Sequence, residues 1–550
     1  TLQERHKIMY EAANRLGEMR GDLIGCMCAV TGKTVVEGDV EVSEGIDYAR
    51  FYSTSMKQFA ELPDVDIAPK GTILVISPWN FPCAIPIGGI VAGLAGGNTV
   101  ILKPATVAAP VAWLFAKAFW DAGVPKEALQ VIITDREALK VLTTAPAVKH
   151  IILTGGTDTA QNIARSNPAT PLSAETGGKN AIILTASGDR DHAIMNIVAS
   201  AFGNAGQKCS ACSLLLVERS VYEDKNFQDK LKDAATSMKV GSVWNPGNVV
   251  GPMITNKNDK LLKALELEKG ESWLVPPRFL DKHKYVLAPT VKWGVRPGNY
   301  SFRTELFGPM LSVVCIENLQ QGINWVNSLD YGLTSGLQSL DEGEQKLWKD
   351  SIMAGNLYIN RGITGAIVNR QPFGGMKLSA FGGGVKAGGP NYCACFVKIT
   401  DKLGSTTDYT QSYVKAYEQE FAHARDVNNL YGEQNAFRYL PLKNMVLRLF
   451  PGDNNEDAKM IALAARICHT PLSISFEPGD DRTAALASLG CPLKEEALAG
   501  FLKSMKNYER IRTCGADIPM EMYEEAARID KYIATAKPVK DGRVELIHYI

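Results

Sequence analysis

Short apolar runs alternate with helix-length segments between residues 71 and 156, and this alternation constrains the fold more than any other feature of the chain. The runs GTILVIS (71–77), NTVILKP (98–104), LQVIIT and VKHIILTGG are bounded mostly by Gly, Pro or polar residues, which is typical of buried parallel strands. Because helical segments lie between them, the pattern predicts βαβ units and a doubly wound parallel sheet. Such a sheet binds ligands at the carboxyl ends of its strands.

Helices precede this sheet, and a second α/β region follows it. Residues 1–60 show apolar positions at helical spacing, with a helix stop at Gly32. New strands begin at NAIILTASG (180–188) and continue through SACSLLLVE, YVLAPTVKW and MLSVVCIEN to about residue 375. The predicted fold class is therefore α/β, with a doubly wound domain, a second α/β domain and a smaller C-terminal α/β region.

The C-terminal region contains a weak internal repeat. The segment PKGTILVISPWNFPCAIPIGGIVAGLAGGNTVILKP (69–104) can be aligned with PLKNMVLRLFPGDNNEDAKMIALAARICHTPLSISFEP (441–478). Both predict a strand, a Pro turn, a helix and a second strand, but the later copy lacks the Trp-Asn pair and the Lys before the last Pro. We interpret it as a degenerate βαβ repeat without the chemical groups; the alternative is that any two βαβ units look alike.

The charge balance and the cysteines exclude several classes of function. Lys+Arg and Asp+Glu both number 59, so no net positive charge favours nucleic acid or an anionic membrane. No apolar stretch is long enough to span a bilayer. The 11 cysteines are irregularly spaced without a zinc-type Cys/His cluster, so we expect no metal site and reduced thiols in the cytoplasm. The chain begins with Thr1 inside a helical pattern, and we expect it to be part of a longer protein.

The stretch AFGNAGQKCSACS contains the first candidate for chemistry, Cys209. A cysteine attacks only as the thiolate, and a free thiol has a pKa of about 8.5, so its surroundings must help. The nearby residues Gly203 and Gly206 would let other groups approach the sulfur. Cys209 is either a nucleophile or a small buried side chain. Cys212 completes a Cys-x-x-Cys pair but begins the strand SLLLVE, so we interpret it as a packing residue rather than a redox partner.

Two polar side chains follow predicted strands of the first sheet. Glu175 in LSAETGGKN lies at a strand-to-loop transition and is a candidate general base, the alternative being a solvated loop carboxylate. Asn80 in SPWNFP follows the strand at 71–77, where its amide could donate to a developing oxyanion or simply serve a turn. The stretch LTGGTDTAQNIA predicts a helix with Thr157 or Asp158 as its N-cap, and a helix N-terminus favours phosphate.

Seven motifs occur in a fixed order between residues 77 and 375: SPWNFP, KPAT, LTGGT, ETGGKN, NAGQKCS, ELFGP and QPFGG. In this order and spacing they resemble the aldehyde dehydrogenase superfamily, and the resemblance extends over about residues 1–400. It implies that Cys209 attacks an aldehyde carbon, while Asn80 and the backbone N–H of Cys209 hold the oxyanion. Glu175 would then activate the water that hydrolyses the thioester.

The resemblance also implies an NAD site. Its residues would be Ser77, Pro78, Trp79, Lys103, Gly155, Gly156, Thr157, Glu305 and Phe307. Lys103 and Glu305 would hold the two riboses, and Phe307 would lie beside the nicotinamide. Thr106 stands where many members carry a Glu that rejects a 2′-phosphate, so NADP is possible although we expect NAD. Gly156 replaces the usual Ser near the pyrophosphate.

A narrower resemblance concerns the substrate. The stretch GITGAIVNRQPFGGMKLSAFGGGVKAGGPNY (362–392) resembles the substrate-anchor region of L-glutamate γ-semialdehyde (Δ1-pyrroline-5-carboxylate) dehydrogenases. It implies NAD-dependent oxidation of that semialdehyde to glutamate, the second step of proline catabolism. The substrate contacts would be Lys208, Ser210, Gly365, Ala366, Phe81 and Phe373. The alternative is another semialdehyde dehydrogenase, of succinate or methylmalonate type.

The stretches QNAFRYLPLKNMVLRLFPG, YERIRTCGADIP and GRVELIHYI resemble the C-terminal region of bifunctional proline utilization A enzymes. This implies a proline dehydrogenase partner domain on the same parent chain, and FAD would belong only to that half. The expected organisation is an NAD-binding domain at 1–177, a catalytic domain at 178–375, a return or oligomerisation segment at 376–400 and a degenerate α/β region at 401–550. We expect a homo-oligomer, and a tail that acts as a non-catalytic scaffold.

Overall fold

The computed structural model describes residues 1–515 and 517–550. Its helices are Leu2–Glu18, Arg20–Thr31, Val35–Ala60, Ala84–Ala95, Ala109–Asp121, Arg136–Thr144, Thr157–Ser166, Arg190–Phe202, Arg219–Tyr222, Lys225–Ser237, Asp259–Ala264, Tyr300–Arg303, Leu319–Asn327, Glu342–Ser351, Tyr409–Ala416, Asn455–Ile467, Thr483–Ala487, Leu498–Ser504, Met520–Arg528 and Gly542–Glu545. Gly32 ends the second helix in the left-handed region with φ 71°, as the sequence predicts. None of the helices among these described residues combines the length and apolarity needed to cross a lipid bilayer.

The first sheet has six strands and begins immediately after the N-terminal helices. From edge to edge they are Ala380–Phe381, Leu172–Glu175, Val148–Thr154, Thr72–Ile76, Thr99–Lys103 and Leu129–Val131. All neighbours are parallel except the first pair. Ile73 and Val75 pack in one apolar cluster and Leu74 and Ile76 in another, because successive side chains of a strand point to opposite faces. Helices cover both faces, so the predicted doubly wound sheet is confirmed.

The second sheet has seven strands. In order they are Asn356–Ile359, Thr334–Gln338, Asn180–Leu184, Cys212–Glu218, Met310–Ile316, Thr290–Trp293 and Ser272–Val275. Only Ser272–Val275 is antiparallel to its neighbour. Apolar clusters lie on both faces, which explains the near-continuous hydrophobic runs of these strands.

The chain then returns to the first sheet. Phe381 lies opposite Ala174 on the antiparallel edge strand. Farther on, Val397–Asp401 pairs with Val65–Pro69 in a separate two-stranded ribbon, and Tyr331–Gly332 pairs with Met376–Lys377 in another. These connections bring the segment after residue 375 against the carboxyl edge of the first sheet, next to Glu175.

The third sheet lies in the C-terminal region and consists of five parallel strands. In order they are Leu493–Glu495, Leu472–Phe476, Met445–Arg448, Arg510–Arg512 and Tyr532–Ala534. If the strands are numbered along the chain, its order is 3-2-1-4-5, which is also the order of the parallel strands in the first sheet. The internal repeat at 441–478 therefore corresponds to a real βαβ unit in the same topological position as 69–104.

Candidate active site

The candidate residues meet where two sheets face each other. Asn80 follows Thr72–Ile76, and Glu175 ends its strand, so both lie at the carboxyl edge of the first sheet. Cys209 precedes Cys212–Glu218 and lies at the amino edge of the second sheet. Asn180 holds Cys209 against the second sheet: its amide donates to the carbonyl of Cys209 at 2.6 Å, and its side-chain oxygen accepts from Thr334 N–H at 3.0 Å.

The turn that precedes Cys209 has left-handed backbone angles. Asn204, Ala205 and Gly206 have φ values of 51°, 53° and 68°, so three consecutive residues occupy the region that only glycine adopts readily. A Cβ on Gly206 would lie 2.2 Å from the carbonyl oxygen of Gly308, so no larger residue fits. Backbone strain of this kind persists where surrounding structure holds it, and it clusters at functional sites.

Cys209 and Glu175 share a poorly solvated environment. Burial raises the pKa of Cys209 to about 12, and the negative charges of Glu305 and Glu175 add to this effect. Burial also raises the pKa of Glu175 to about 8, against the opposing influence of the Gly375 N–H and the charge of Lys386. The thiol of Cys209 is therefore neutral at physiological pH, and the carboxyl of Glu175 changes its charge in a range that suits a base acting on water.

Asn80 is buried and held from two sides. Its side-chain amide donates to the carbonyl of Gln207 at 3.1 Å, which places it against the turn that carries Cys209. Its own carbonyl accepts from the ammonium of Lys33 at 2.7 Å, and Lys33 forms an ion pair of 2.8 Å with Glu41. The amide thus has a fixed direction toward the nucleophile, as an oxyanion donor requires.

Three features of the proposed cofactor residues can be compared with the groups of a dinucleotide. The hydroxyl of Ser77 is buried and has no hydrogen-bond partner among residues 1–515 and 517–550. Trp79 meets Phe307 edge to face, with ring centroids 5.8 Å apart. Glu305 accepts from Gly178 N–H at 2.8 Å, and a Cβ on Gly177 would lie 2.3 Å from its carboxylate. A carboxylate, an orphan hydroxyl and flat aromatic walls suit riboses and a nicotinamide.

The phosphate side of the proposed cofactor site differs in one detail from the sequence prediction. The N-cap of the helix Thr157–Ser166 is Gly156, with no side-chain cap, so the prediction of Thr157 or Asp158 as N-cap was wrong. Thr157 is instead the first helical residue, and its hydroxyl lies 3.1 Å from that of Tyr331. The preceding Gly155 donates its N–H to the carbonyl of Glu175 at 3.1 Å. Without a side-chain cap, the helix keeps N–H groups free for an anion.

Lys103 and Thr106 are the residues that the family resemblance assigns to the ribose contacts of the cofactor. Lys103 ends the strand Thr99–Lys103 and is partly buried, and burial lowers its pKa. Thr106 is exposed in the short turn that follows. A neutral side chain at this position leaves nothing to repel an added phosphate.

The proposed substrate residues lie on both sides of Cys209. Lys208 precedes Cys209 and forms an ion pair with Glu37 at 3.1 Å. Ser210 follows Cys209 and is buried. Lys33 lies 4.0 Å above the ring of Phe81, next to Asn80.

Gly365 and Ala366, in the segment 362–392 that resembles a substrate anchor, are both partly buried, and the carbonyl of Gly365 accepts from the Tyr358 hydroxyl. Phe373 exchanges backbone hydrogen bonds of 2.8 and 2.9 Å with Ala387, which fixes its position close to Gly374 and Glu175.

The other cysteine of the pair plays no part in this site. Cys212 is buried in the apolar cluster of the second sheet with Ile182 and Leu215, and its thiol points to the carbonyl of Leu214 at 3.4 Å. It packs as the sequence predicts.

Several residues that support the site were missed by the sequence analysis: Lys33, Glu37, Glu41, Asn180 and Lys386. The first three lie on or next to an ordinary amphipathic helix, where charges normally face solvent. Lys386 had a usable signal, because it is the one charged residue in the small and apolar run AFGGGVKAGGP.

A sequence profile of the aldehyde dehydrogenase family matches residues 1–401. The chain belongs to the aldehyde dehydrogenase family. Among curated proteins it is similar to the 1-pyrroline-5-carboxylate dehydrogenase of Geobacillus sp. (strain WCH70), with 33% identity over 411 residues, which are 71% of this chain and 79% of that protein.

Solved structures give the same picture. Proline utilization A from Corynebacterium freiburgense is similar with a TM-score of 0.88 and 36% identity, over 100% of this chain and 56% of that one. The 1-pyrroline-5-carboxylate dehydrogenase from Thermus with bound NAD has a TM-score of 0.68 and 32% identity, over 73% of this chain and 81% of that one. This chain thus spans little more than half the length of the proline utilization A protein that it resembles.

Proposed function

We propose that this chain oxidises L-glutamate γ-semialdehyde, the open form of Δ1-pyrroline-5-carboxylate, to L-glutamate with NAD as the oxidant. The observation that carries the proposal is the single site that joins Cys209, Asn80 and Glu175 in a chain of this family. The similarity to proteins named 1-pyrroline-5-carboxylate dehydrogenase supports the choice of substrate.

The first half-reaction acylates Cys209. Its sulfur bonds to the aldehyde carbon as the thiol proton passes to water, the π bond of the carbonyl breaks, and the carbonyl oxygen becomes an oxyanion. The Asn80 amide and the Cys209 backbone N–H donate to that oxygen, and losing one such donor typically costs a factor of about 10²–10³ in rate. NAD, when bound, accepts the hydride that leaves the substrate carbon, and the substrate remains on Cys209 as a thioester.

The cofactor would be held mainly by backbone and polar side chains. Glu305 and Lys103 would bind the riboses, Ser77 would gain the partner that its buried hydroxyl lacks, and Gly156 with Thr157 would face the pyrophosphate. Because Thr106 is neutral and exposed, we propose that NAD is preferred over NADP without strict exclusion.

The second half-reaction hydrolyses the thioester. Glu175, when ionised, removes a proton from a water molecule, which attacks the thioester carbon as the Cys209 thiolate leaves. The product is a carboxylic acid and the free nucleophile. A base at this position supports hydrolysis rather than transfer of the acyl group to a thiol cofactor.

The substrate would be recognised through its amino-acid head. The backbone N–H groups of Gly365 and Ala366 would bind the α-carboxylate, with Ser210 and Lys208 adding a hydroxyl and a charge. Phe81 and Phe373 would flank the aliphatic chain. Since an unpaired carboxylate is costly to bury, several donors are needed there, and a substrate without this head would bind weakly.

Steady-state NADH formation with L-glutamate γ-semialdehyde, succinate semialdehyde and acetaldehyde tests the proposal. We expect the first to have the highest kcat/KM and Cys209→Ala to abolish turnover. Cys212→Ala is the matched control, since this cysteine is buried three residues away and should leave activity near the wild-type level. A higher kcat/KM for either other aldehyde would refute the substrate assignment, and activity in Cys209→Ala would refute the mechanism.

We also propose that the parent protein carries a proline dehydrogenase domain, which would hold FAD, and that residues 401–550 form a non-catalytic scaffold of a homo-oligomer. The third sheet supports the latter idea, because it repeats the first sheet without equivalents of Trp79, Asn80 or Lys103. Light scattering and activity of a chain ending at residue 401, with and without an added proline dehydrogenase, test it. Unchanged assembly, activity and intermediate transfer would contradict the scaffold role.

A further inference from the structure

Lys386 lies on the far side of a single peptide group from Glu175. Its ammonium donates to the carbonyl oxygen of Gly374 at 3.2 Å. The N–H of the same peptide, which belongs to Gly375, donates to the Glu175 carboxylate at 3.1 Å. A cation, one peptide dipole and a carboxylate therefore stand in one hydrogen-bonded chain.

The other contacts of Lys386 fix this arrangement. Its ammonium also donates to the Asn356 side-chain oxygen at 3.2 Å and to the carbonyl of Gly355, so all three of its N–H donors are used. Asn356 in turn accepts from Gly374 N–H at 3.2 Å. The first residue of the strand Asn356–Ile359 is thereby hydrogen-bonded to the loop that contacts Glu175.

The backbone at this point leaves no room for rearrangement. A Cβ on Gly374 would lie 2.9 Å from Lys386 Cγ on one side and 3.3 Å from Glu175 Oε1 on the other. A Cβ on Gly355 would lie 1.8 Å from the Gly374 carbonyl oxygen. The peptide is thus sandwiched between the two charged side chains, and neighbouring hydrogen bonds in such a chain polarise and strengthen each other.

We propose that Lys386 is a positioning residue for the hydrolytic half-reaction: acting through the Gly374–Gly375 peptide, it holds the Glu175 carboxylate in place and favours its charged form. This inference rests on the proposed role of Glu175 as general base. Four titratable groups act electrostatically with Glu175: Lys386, Cys209, Tyr48 and Tyr392. Lys386 alone among these four groups is cationic, and it opposes the effect of burial on this carboxylate together with the hydrogen bond from Gly375 N–H.

The two charges support each other in the expected directions. Burial lowers the pKa of Lys386 to about 8, and the negative charge of Glu175 counteracts this effect. Burial raises the pKa of Glu175 to about 8, and Lys386 counteracts that. Removing the lysine charge should therefore raise the pKa of Glu175 further and move the onset of hydrolysis to higher pH.

The test uses the hydrolysis of p-nitrophenyl acetate by the full chain without NAD. We expect this ester to acylate Cys209 with a burst of nitrophenolate, and the slow phase that follows would then report hydrolysis of the acyl-enzyme. In Lys386→Met we expect an unchanged burst amplitude. The acid limb, which is the fall in the slow-phase rate at low pH, should move up by about one pH unit. Lys386→Gln keeps a hydrogen-bond donor to Gly374 without the charge and should show the same shift. It serves as the second variant if Lys386→Met folds poorly.

Lys377→Met is the matched control. This lysine is nine residues away, and its ammonium also donates to backbone carbonyls, those of Asn327 and Leu329 at 2.8 and 2.9 Å, but Glu175 does not act on it. Its acid limb should coincide with that of the wild type.

If the acid limb of the slow phase does not shift in folded Lys386→Met or Lys386→Gln, the inference is wrong. If Lys377→Met shifts the limb equally, the shift reflects a general loss of order in the structure, which also overturns the inference. A normal burst and shift without oxidation of glutamate semialdehyde would refute only the proposed substrate. A wild type in which the ester places no acyl group on Cys209, as measured by mass spectrometry of the acid-quenched protein, would overturn both.

Discussion

The ammonium of Lys33 donates a 2.7 Å hydrogen bond to the carbonyl oxygen of Asn80. The same ammonium lies 2.8 Å from the carboxylate of Glu41, and both side chains of this pair are only 1% exposed. Glu41 in turn accepts from the N–H groups of Cys83 and Ala84 at 2.7 and 3.2 Å, at the start of the helix Ala84–Ala95. One buried ion pair therefore fixes both ends of the turn that presents the Asn80 amide.

We expect Lys33→Met to lower the free energy of unfolding by about 3–5 kcal/mol, because it leaves the Glu41 carboxylate buried without its counter-ion. Acylation of Cys209 should slow as well, since the Asn80 turn loses a fixed contact. Urea denaturation and the burst rate of ester hydrolysis measure the two effects.

Lys346→Met is the matched control for this prediction. Lys346 pairs with Asp350 at 2.7 Å but is exposed, so its loss should cost less than about 1 kcal/mol. Replacing Glu41 by Gln together with Lys33→Met should recover part of the lost stability. Equal losses for the buried and the exposed lysine would contradict a special role for the buried pair.

Glu175→Gln should separate the two half-reactions. The variant should still form the thioester, because acylation by a nitrophenyl ester does not require water activation, but hydrolysis should slow by a factor of about 10²–10⁴. Mass spectrometry of the acidified protein should then show one acyl group on the peptide containing Cys209. A variant that turns over at the wild-type rate would exclude Glu175 as the base.

The wild-type enzyme should hydrolyse its acyl-enzyme faster as the pH rises. Glu175 must be ionised to accept a proton, and burial raises its pKa to about 8, so hydrolysis should fall away below that pH. Stopped-flow measurement of the slow phase across this range checks the prediction. The burst phase of Glu175→Gln reports acylation in the absence of this carboxyl group. Followed over the same pH range, it should not show the fall in rate below about pH 8. A hydrolysis rate that is flat between about pH 6 and 8 would contradict the assignment.

The sequence predicted most of the scaffold, because buried parallel strands leave an unmistakable signal. The strands Thr72–Ile76 and Thr99–Lys103 fall within a few residues of their predicted bounds, and a helix lies between them as predicted. The short strands Ser272–Val275 and Ala380–Phe381 were not predicted, since each acts as an edge and carries no sustained apolar run. The order of the strands in each sheet also depends on long-range pairing that local patterns do not encode.

For the site, the sequence motifs predicted Cys209, Glu175 and Asn80. The residues that hold these three in place could not be identified from the sequence. Lys33 and Asn80 are 47 residues apart, and Asn180 and Cys209 are 29 apart, so only the folded chain brings them together. The motifs mark residues that perform chemistry because the reaction demands particular side chains. The residues that hold them need only suitable hydrogen bonds, which many sequences can provide.

Thr106→Glu should sharpen the choice of cofactor. A carboxylate at this exposed position would accept a hydrogen bond from the adenosine ribose of NAD and repel the 2′-phosphate of NADP. We expect the ratio of kcat/KM for NAD over NADP to rise by a factor of about 10 or more, since one charge repulsion of about 1.4 kcal/mol gives a tenfold change. Thr106→Gln keeps the size without the charge and should change the ratio far less. A ratio that does not move would show that Thr106 lies away from the ribose.

Glu175 should reduce the stability of the protein at the pH where it functions. Its pKa is raised from an ordinary 4.5 to about 8, so between these values the folded state binds a proton more tightly than the unfolded state. Stability linked to this group is present below pH 4.5 and is lost as the pH rises toward 8. Glu175→Gln should therefore match the wild type in acid and exceed it by at least about 1 kcal/mol near pH 8, as measured by urea denaturation. Glu127→Gln, at an exposed turn, should leave the difference near zero at every pH. A stability gap for Glu175→Gln that did not grow with pH would mean that the carboxylate is well solvated, and its assignment as a tuned base would lose its physical basis.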